Sequence, residues 1–170
     1  MNAKLLPLLL VAAIAVAGCE RRNQAGADDM AIAPNDNLLG ADAASNPASP
    51  EYFQARVGDR VLFPVNQYTL TAEARAVLDG QAQWLLTNAD YNAVIEGHAD
   101  EQGTREYNLA LGSRRANTVR EYLVARGIPA ARLQTVTYGK ERPIAICSDE
   151  ACYASNRRAV TVIAAGAAGV

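Results

Sequence analysis

The sequence predicts an α/β (α+β) fold, a two-layer sandwich in which a mixed sheet of about four strands carries helices packed on one face. Segments with strand periodicity alternate with segments of helical periodicity over about 115 residues, which favours this fold class. Of the 170 residues, 50% are hydrophobic, so the chain can bury a core. The length accommodates one domain of ordinary size together with some unstructured chain.

Composition also limits the classes of function. The chain has 16 Lys and Arg against 18 Asp and Glu, a net charge of −2, whereas nucleic-acid-binding proteins normally carry a basic surplus. It contains one His and three Cys, which are few ligands for a zinc or iron–sulfur site. We therefore expect no nucleic-acid partner, no metal centre and no cofactor.

The first 18 residues are predicted to be an export signal rather than part of the fold. Lys4 gives a positive start, and the apolar run from Leu5 to Ala17 that follows is too short to span a bilayer. Small residues then lead into Cys19, and this arrangement resembles the lipobox of bacterial lipoproteins. The resemblance implies cleavage before Cys19 and acylation of Cys19. The alternative is an ordinary signal peptide followed by an incidental Cys.

An anchor of this kind also predicts a location. The residue after Cys19 is Glu20, not the Asp that tends to retain enterobacterial lipoproteins in the inner membrane. Two or more acyl chains hold a protein stably at a membrane. We therefore expect a lipid-anchored chain at the outer membrane, facing the periplasm.

Residues 19–50 are expected to form the lipidated Cys and a flexible linker. Residues 20–50 are rich in Ala, Asn, Asp and Pro and lack helical or strand periodicity. The pairs Asn46-Pro47 and Ser49-Pro50 favour turns and interrupt regular structure. A random coil of about 31 residues has an r.m.s. reach of roughly 30 Å. Residues 51–170 then form the single domain.

The first half of the domain is predicted to contain two strands and one helix. Arg60–Val65 is an apolar strand segment in which Pro64 indicates an edge position or an early end. Thr71 is a plausible N-cap for a helix that runs to about Thr87. Asn92–Ala99 follows as the next strand.

The second half is predicted to contain a longer helix and two more strands. The helix begins at Gly103-Thr104 and runs to Arg126, and Pro129 follows as a stop signal. Leu133–Tyr138 and Arg158–Ile163 are the third and fourth strand segments.

Asp100 lies at the junction between the second strand and the second helix. Ligand-binding groups often lie at the carboxyl ends of strands in α/β folds, and Gly103 permits a tight turn there. Asp at such a junction also commonly caps a helix or forms a turn, and this structural interpretation stays open.

The second helix carries Arg114 and Arg115 at inequivalent positions. With Asn108 at 0° and about 100° per residue, the apolar positions centre near 60°, Arg115 falls near 340° and Arg114 near 240°. We expect Arg114 to point to solvent and Arg115 to border the packed face, on the same edge as Asn108. A fixed Arg can bind a carboxylate by two parallel hydrogen bonds. The alternative is a structural salt bridge from Arg115 to a neighbour such as Asp100.

Asp100 and Arg115 together offer one anion and one cation, which suits a zwitterionic ligand. A carboxylate receives an ammonium group, and a guanidinium receives a carboxylate. An amino-acid-like group is therefore the ligand chemistry that this pair predicts.

Two motifs carry a resemblance to a known family. The stretch from Gly97 to Ala116 reads GHADEQGTREYNLALGSRRA and contains an Asp-x-x-Gly element followed by an Asn-x-x-Leu-x-x-Arg-Arg-Ala element. Near the end of the chain, Asn156–Val160 reads NRRAV. Over roughly residues 55–165 the chain resembles the OmpA-like peptidoglycan-binding domains, which implies their fold and a binding function.

The resemblance also implies a set of site residues. In that family the ligand is the meso-diaminopimelate of the peptidoglycan stem peptide, and its side-chain amine and carboxylate are held at the positions of Asp100 and Arg115. Asn108 would support this pocket and Arg157 would border it. Asn66 matches a polar position on the first strand that faces the ligand, although Pro64 stands where many members have an acidic residue.

The resemblance further implies a non-enzymatic function. An outer-membrane lipoprotein of this family would tether the membrane to the cell wall within the Tol system, with TolB and other Tol proteins as partners, and would support cell division. The alternative is a wall-binding lipoprotein of another envelope assembly, for secretion or motility. His98 could be considered a general base, but the sequence offers no nearby nucleophile or set of metal ligands.

Cys147 and Cys152 are five residues apart and would meet an oxidising compartment after export. With Cys19 acylated, they are the two remaining Cys, and we expect a disulfide between them. Two reduced thiols or a redox pair are the alternatives, although the C-x-x-x-x-C spacing differs from the C-x-x-C redox motif.

Overall fold

The fold is built on one mixed sheet. The structure, a computed structural model, describes residues 43–165. Within that range the four strands are β1 (Arg60–Leu62), β2 (Tyr91–His98), β3 (Leu133–Gly139) and β4 (Arg158–Ala165). They lie in the order β1-β4-β2-β3, with β4 antiparallel to β1 and β2 and with β3 parallel to β2. The predicted fold class is confirmed.

Helices connect the strands and supply the second layer. Residues 43–45, at the start of the described range, are also helical, and the helices and turns that follow are α1 (Pro50–Tyr52), which continues into a π-helical turn (Phe53–Gly58), α2 (Ala72–Thr87), α3 (Arg105–Ala125), a 3-10 turn (Ala130–Arg132) and α4 (Glu150–Asn156). α2 and α3 begin where the sequence predicts, because the hydroxyls of Thr71 and Thr104 accept hydrogen bonds from backbone N–H groups three residues further on. The sequence pattern did not predict α1, the π-helical turn or α4.

The core lies between the sheet and helices α2 and α3. Along β2, Ala93, Ile95 and Gly97 are buried and alternate with less buried residues, as expected of a strand with one covered face. The two helices contribute side chains that are fully buried: Leu78, Leu85, Ala116, Val119 and Leu123. Their burial fixes both helices against the sheet.

α3 approaches β2 more closely than side chains would normally permit. A Cβ added to Gly97 would overlap the backbone carbonyl of Gly112, and one added to Gly112 would overlap the Thr137 hydroxyl. That hydroxyl donates a hydrogen bond to the Leu109 carbonyl at 3.0 Å. The contact fixes the first half of α3, which carries two of the predicted site residues, against the carboxyl end of β2.

β1 is shorter than the predicted strand Arg60–Val65. It ends at Leu62, because Pro64 has no backbone N–H with which to continue the strand pairing. The Phe63 N–H still donates to the Arg157 carbonyl at 2.8 Å. Beyond it the chain leaves the sheet and turns toward α3, where its carbonyl groups contribute to the site.

Some of the sequence predictions concern residues that the structure does not describe. The export signal (1–18), Cys19 and most of the predicted linker lie outside the described range. The end of that predicted linker contacts the domain: the Trp84 indole N–H donates to the Pro47 carbonyl at 2.8 Å, and Ser49 is buried.

Among the described helices, none has the length and apolar character needed to cross a membrane.

Candidate functional site

Asp100 lies in the loop that joins β2 to α3. Its Oδ1 accepts a hydrogen bond from the backbone N–H of Gln102 at 3.3 Å, which closes a turn of the kind that Asp favours. Gly103 has a φ of +90°, a conformation that glycine adopts without strain. The side chain of Asp100 is 12% exposed, so its carboxylate is largely but not completely shielded from water.

Arg115, on α3, is fully buried and is held by three carbonyl oxygens. Nε donates to the carbonyl of Gln67 at 2.8 Å, Nη1 to that of His98 at 2.7 Å and Nη2 to that of Pro64 at 3.3 Å. The guanidinium lies 5.2 Å from the centre of the Phe63 ring. It is therefore fixed between the end of β2 and the segment that follows β1.

Burial changes the acidity of Arg115 but leaves the side chain cationic. It lowers the pKa of Arg115 to about 10, and the charge of Asp100 partly opposes that shift while Arg157 adds to it. Each Nη nitrogen carries a second N–H beyond the one that contacts a carbonyl. Arg115 is therefore a rigid, buried cation.

The helix-face prediction for the two arginines agrees with the structure. Arg115 is fully buried, whereas Arg114 is exposed and its guanidinium lies 5.6 Å from the centre of the Tyr68 ring. The structure does not show the alternative, a salt bridge between Arg115 and Asp100. Asp100 pairs with Arg157 instead.

Arg157 is the cation that contacts Asp100. Its Nη1 donates to Asp100 Oδ2 at 3.2 Å, its Nη2 donates to Glu150 Oε1, and its Nε donates to a carbonyl, that of Phe63, at 3.2 Å. Burial opposes the charge on Arg157, but the hydrogen bonds to both carboxylates outweigh it and raise the pKa of Arg157. Two carboxylates thus share one buried cation.

The two predicted asparagines differ in burial. Asn108 is fully buried; its Nδ2 donates to the Gln102 carbonyl at 2.8 Å, and its Oδ1 has no hydrogen-bond partner in the described part of the chain. Asn66 is exposed, with a φ of +55°, and its Oδ1 accepts a hydrogen bond from the Tyr107 hydroxyl at 3.3 Å. Asn108 therefore braces the loop that carries Asp100, whereas Asn66 lies at the surface and is tied to α3.

His98 does not have the surroundings of a general base. Its ring is 1% exposed and packs against Tyr138, and neither ring nitrogen has a hydrogen-bond partner among the described residues. Nε2 lies 3.7 Å from the carboxylate of Glu96. Burial, together with the positive charges of Arg158 and Arg142, lowers the pKa of His98 to about 4. His98 is a neutral, buried residue that serves the site through its backbone carbonyl.

The neutral state of His98 predicts that stability falls on acidification. Its pKa in the folded protein, about 4, lies below the ordinary value of 6.5, so the unfolded chain takes up a proton first as the pH falls. Between pH 7 and pH 5 this effect lowers the free energy of unfolding by about 2 kcal/mol, and it levels off below pH 4 as the folded protein also takes up the proton. Urea unfolding of the wild type and of His98→Gln at both pH values tests this. Parallel pH dependence in the two proteins would show that His98 does not contribute.

α4 brings a residue to the site that the sequence pattern did not indicate. Cys147 and Cys152 form a disulfide with their Cα atoms 5.9 Å apart, and between them Asp149 caps α4 by accepting from the Cys152 N–H at 3.0 Å. The next residue, Glu150, reaches Arg157. The sequence does show a Glu seven residues before Arg157, which could have suggested this ion pair. The spacing brings the two side chains together only because α4 lies between them, and the sequence pattern did not predict α4.

Comparison of the sequence with known proteins identifies its family. The profile of the OmpA family matches residues 62–158. The chain belongs to the OmpA family. A relative from Rhizobium meliloti, named peptidoglycan-associated lipoprotein, is 49% identical over 165 residues, which cover 95% of this chain and 88% of the relative. Another protein of that name, from Haemophilus influenzae, is 42% identical over 125 residues, which cover 70% of this chain and 82% of that protein.

Solved structures share the fold. The crystal structure of the peptidoglycan-associated lipoprotein from Burkholderia pseudomallei is 38% identical, with a TM-score of 0.63, and the match covers 72% of this chain and 99% of that chain. The C-terminal domain of MotB from Helicobacter pylori has 18% identity and a TM-score of 0.59, covering 64% of this chain and 86% of that chain, which shows a likeness of fold alone. Within the OmpA family, the chain thus groups with the peptidoglycan-associated lipoproteins.

Proposed function

We propose that the chain binds peptidoglycan non-covalently, through meso-diaminopimelate, and acts as a tether rather than as an enzyme. The observation that carries the proposal is the arrangement of Asp100 and Arg115. A largely buried carboxylate lies two residues beyond His98, and the buried guanidinium of Arg115 is bonded to the His98 carbonyl. The relatives are peptidoglycan-associated by name, which supports the cell wall as the ligand.

Each charged group suits one part of the zwitterionic end of meso-diaminopimelate. The second N–H on each Nη of Arg115 provides the paired donors that a carboxylate accepts. Because three carbonyls already hold this guanidinium, little side-chain entropy is lost when a ligand binds. Asp100 supplies the negative charge for the ammonium group, and Asn108 braces the loop that carries it.

The same arrangement supports binding without catalysis. The described hydrogen bonds of Arg115 are with backbone carbonyls, and His98 is neutral and buried, so neither group is placed to transfer a proton to a ligand. A wall hydrolase would release soluble muropeptides from isolated peptidoglycan. We expect the purified chain to release none.

An acylated Cys19 would join this wall-binding domain to a membrane. The lipobox-like sequence supports such an anchor, and the relatives are lipoproteins by name. The chain would then face the periplasm from the outer membrane and act within the Tol–Pal system, with TolB and other Tol proteins as partners, in envelope integrity and cell division. Recovery of TolB with the chain from solubilised membranes tests this assignment. Recovery of secretion or motility proteins without TolB would favour the alternative assembly.

Asp100→Asn is expected to weaken binding to peptidoglycan by roughly ten- to a hundredfold, because an ammonium group loses a charge-assisted hydrogen bond. Cosedimentation of the detergent-extracted full chain with isolated peptidoglycan measures the effect. Asp79→Asn makes the same change in an exposed ion pair with Arg126 and should sediment as the wild type does. Equal retention of the wild type and Asp100→Asn would contradict the proposal.

A further inference from the structure

Arg157 is shared between two carboxylates, and the second of them belongs to α4 rather than to the β2–α3 loop. Asp100 accepts from Nη1 and Glu150 accepts from Nη2 of the same guanidinium. The side chains of Asp100 and Arg157 are nearly buried, whereas that of Glu150 is 68% exposed. Glu150 therefore contacts Arg157 from the solvent side.

Because Nη2 of Arg157 is bonded to Glu150, Arg157 donates only one hydrogen bond to Asp100. Without Glu150, Nη2 of Arg157 would lose its partner, and by giving up the Nε bond to the Phe63 carbonyl the guanidinium would be able to turn and form the two parallel bonds to Asp100 that Arg–carboxylate pairs prefer. A carboxylate bound in that way has fewer lone pairs and a weaker negative potential to offer an ammonium group. Removal of Glu150 would also remove a negative charge close to the site.

We infer that Glu150 is a positioning residue for ammonium recognition: by occupying Nη2 of Arg157, it keeps Asp100 available to the ammonium group of the wall ligand. The inference rests on the proposed function of Asp100 and Arg115. It predicts a selective loss. Without Glu150, recognition of the ammonium group weakens, whereas recognition of the carboxylate at Arg115 does not change.

The disulfide restrains the segment that carries Glu150. Cys147 and Cys152 enclose the start of α4, and both Asp149, which caps that helix, and Glu150 lie between them. A seven-residue helix is too short to be stable by itself, so the crosslink and the cap restrict the backbone of this segment. The position of Glu150 therefore depends on the disulfide.

Two synthetic stem tripeptides separate this role from a structural one. One ends in meso-diaminopimelate; the other ends in 2-aminopimelate joined through its amine, which retains the terminal carboxylate and lacks the ammonium group. Calorimetric titration of the detergent-extracted full chain with each peptide gives a ratio of affinities that reports ammonium recognition. Glu150→Ala is expected to lower this ratio about fivefold and to leave the affinity for the 2-aminopimelate peptide unchanged.

Matched variants complete the test. Glu150→Gln keeps an oxygen acceptor for Nη2 but loses the negative charge, so it should lower the ratio less than Glu150→Ala does, whereas Glu121→Gln, the same substitution at an exposed position of α3, should not lower it. Replacing both Cys147 and Cys152 with Ser should lower the ratio, and adding Glu150→Ala to that variant should lower it little further.

The outcomes distinguish the inference from the proposal on which it rests. If Glu150→Ala weakens the binding of both peptides equally, the residue is merely structural and the inference is overturned. If the wild type binds both peptides equally well, the proposed role of Asp100 is wrong, and the inference about Glu150, which rests on it, is wrong as well. A wild type that prefers the diaminopimelate peptide, with a Glu150→Ala variant that largely loses the preference, supports both.

Discussion

Arg115→Ala is expected to lower the free energy of unfolding by about 3–5 kcal/mol and to abolish detectable binding to peptidoglycan. The substitution leaves the His98 carbonyl without its donor in a buried position, and the carbonyls of Pro64 and Gln67 without theirs in partly buried positions. It also opens a cavity beside the Phe63 ring. Urea unfolding followed by circular dichroism measures the first effect, and cosedimentation with isolated peptidoglycan measures the second.

Two further substitutions separate stability from binding. Arg114→Ala changes the exposed neighbour on the same helix and should leave both quantities close to those of the wild type. Arg115→Lys keeps the positive charge, but its single nitrogen cannot bond three carbonyls and also present a pair of donors to a carboxylate. We expect that variant to fold with reduced stability and to bind poorly. Equal unfolding free energies for Arg114→Ala and Arg115→Ala would contradict the helix-face assignment.

Gly97→Ala is expected to be the second severe substitution, with a loss of about 3 kcal/mol or more in the free energy of unfolding. The added Cβ would overlap the backbone carbonyl of Gly112, and backbone cannot move aside as a flexible side chain can. α3 would have to shift away from β2, and Arg115 would move with it. Wall binding should therefore fall together with stability, as urea unfolding and cosedimentation of the same preparation would show.

Gly80→Ala is the matched control for that substitution. Gly80 lies within α2, and a Cβ there would make an ordinary contact at 3.6 Å with the Val57 side chain. Since Ala favours a helix over Gly by about 1 kcal/mol, this variant should be as stable as the wild type or more so. A Gly97→Ala protein as stable as Gly80→Ala would show that the close approach of α3 to β2 is not required.

Local sequence patterns predicted the parts of the site that depend on one element. Helical periodicity separated Arg115 from Arg114, because each residue of a helix advances by a fixed angle. Thr71 and Thr104 marked the starts of α2 and α3, since a hydroxyl before a helix accepts a hydrogen bond from its first turn. Pro64 indicated the early end of β1 for an equally local reason.

The contacts between these parts could not be predicted in the same way. The carbonyls that hold Arg115 lie 17, 48 and 51 residues away in the sequence, and Asp100 lies 57 residues from Arg157. Nothing in a local pattern indicates which distant carbonyl a buried guanidinium will contact. The sequence pattern did not predict α4 because this helix is too short to show an amphipathic face. It is held instead by a cap, a disulfide and an ion pair.

The proposed non-covalent binding would suit attachment to a wall that is continually remodelled. Charge-assisted hydrogen bonds from one carboxylate and one guanidinium hold a ligand without forming a bond that must later be cleaved. The rigid support of Arg115 by three carbonyls would favour affinity for such a ligand. In the proposed function, the chain would release one stem peptide and bind another while an acylated Cys19 stayed in the membrane.

Displacement of the wall-bound chain by free ligand tests the central claim most directly. The full chain is allowed to bind isolated peptidoglycan that contains meso-diaminopimelate, and the mixture is sedimented with increasing free meso-diaminopimelate or with pimelate, which lacks the ammonium groups. We predict that meso-diaminopimelate transfers the protein to the supernatant and that pimelate at the same concentrations does not. Equal release by both, or release by neither, would contradict the claim that Asp100 and Arg115 bind the opposite charges of one amino acid.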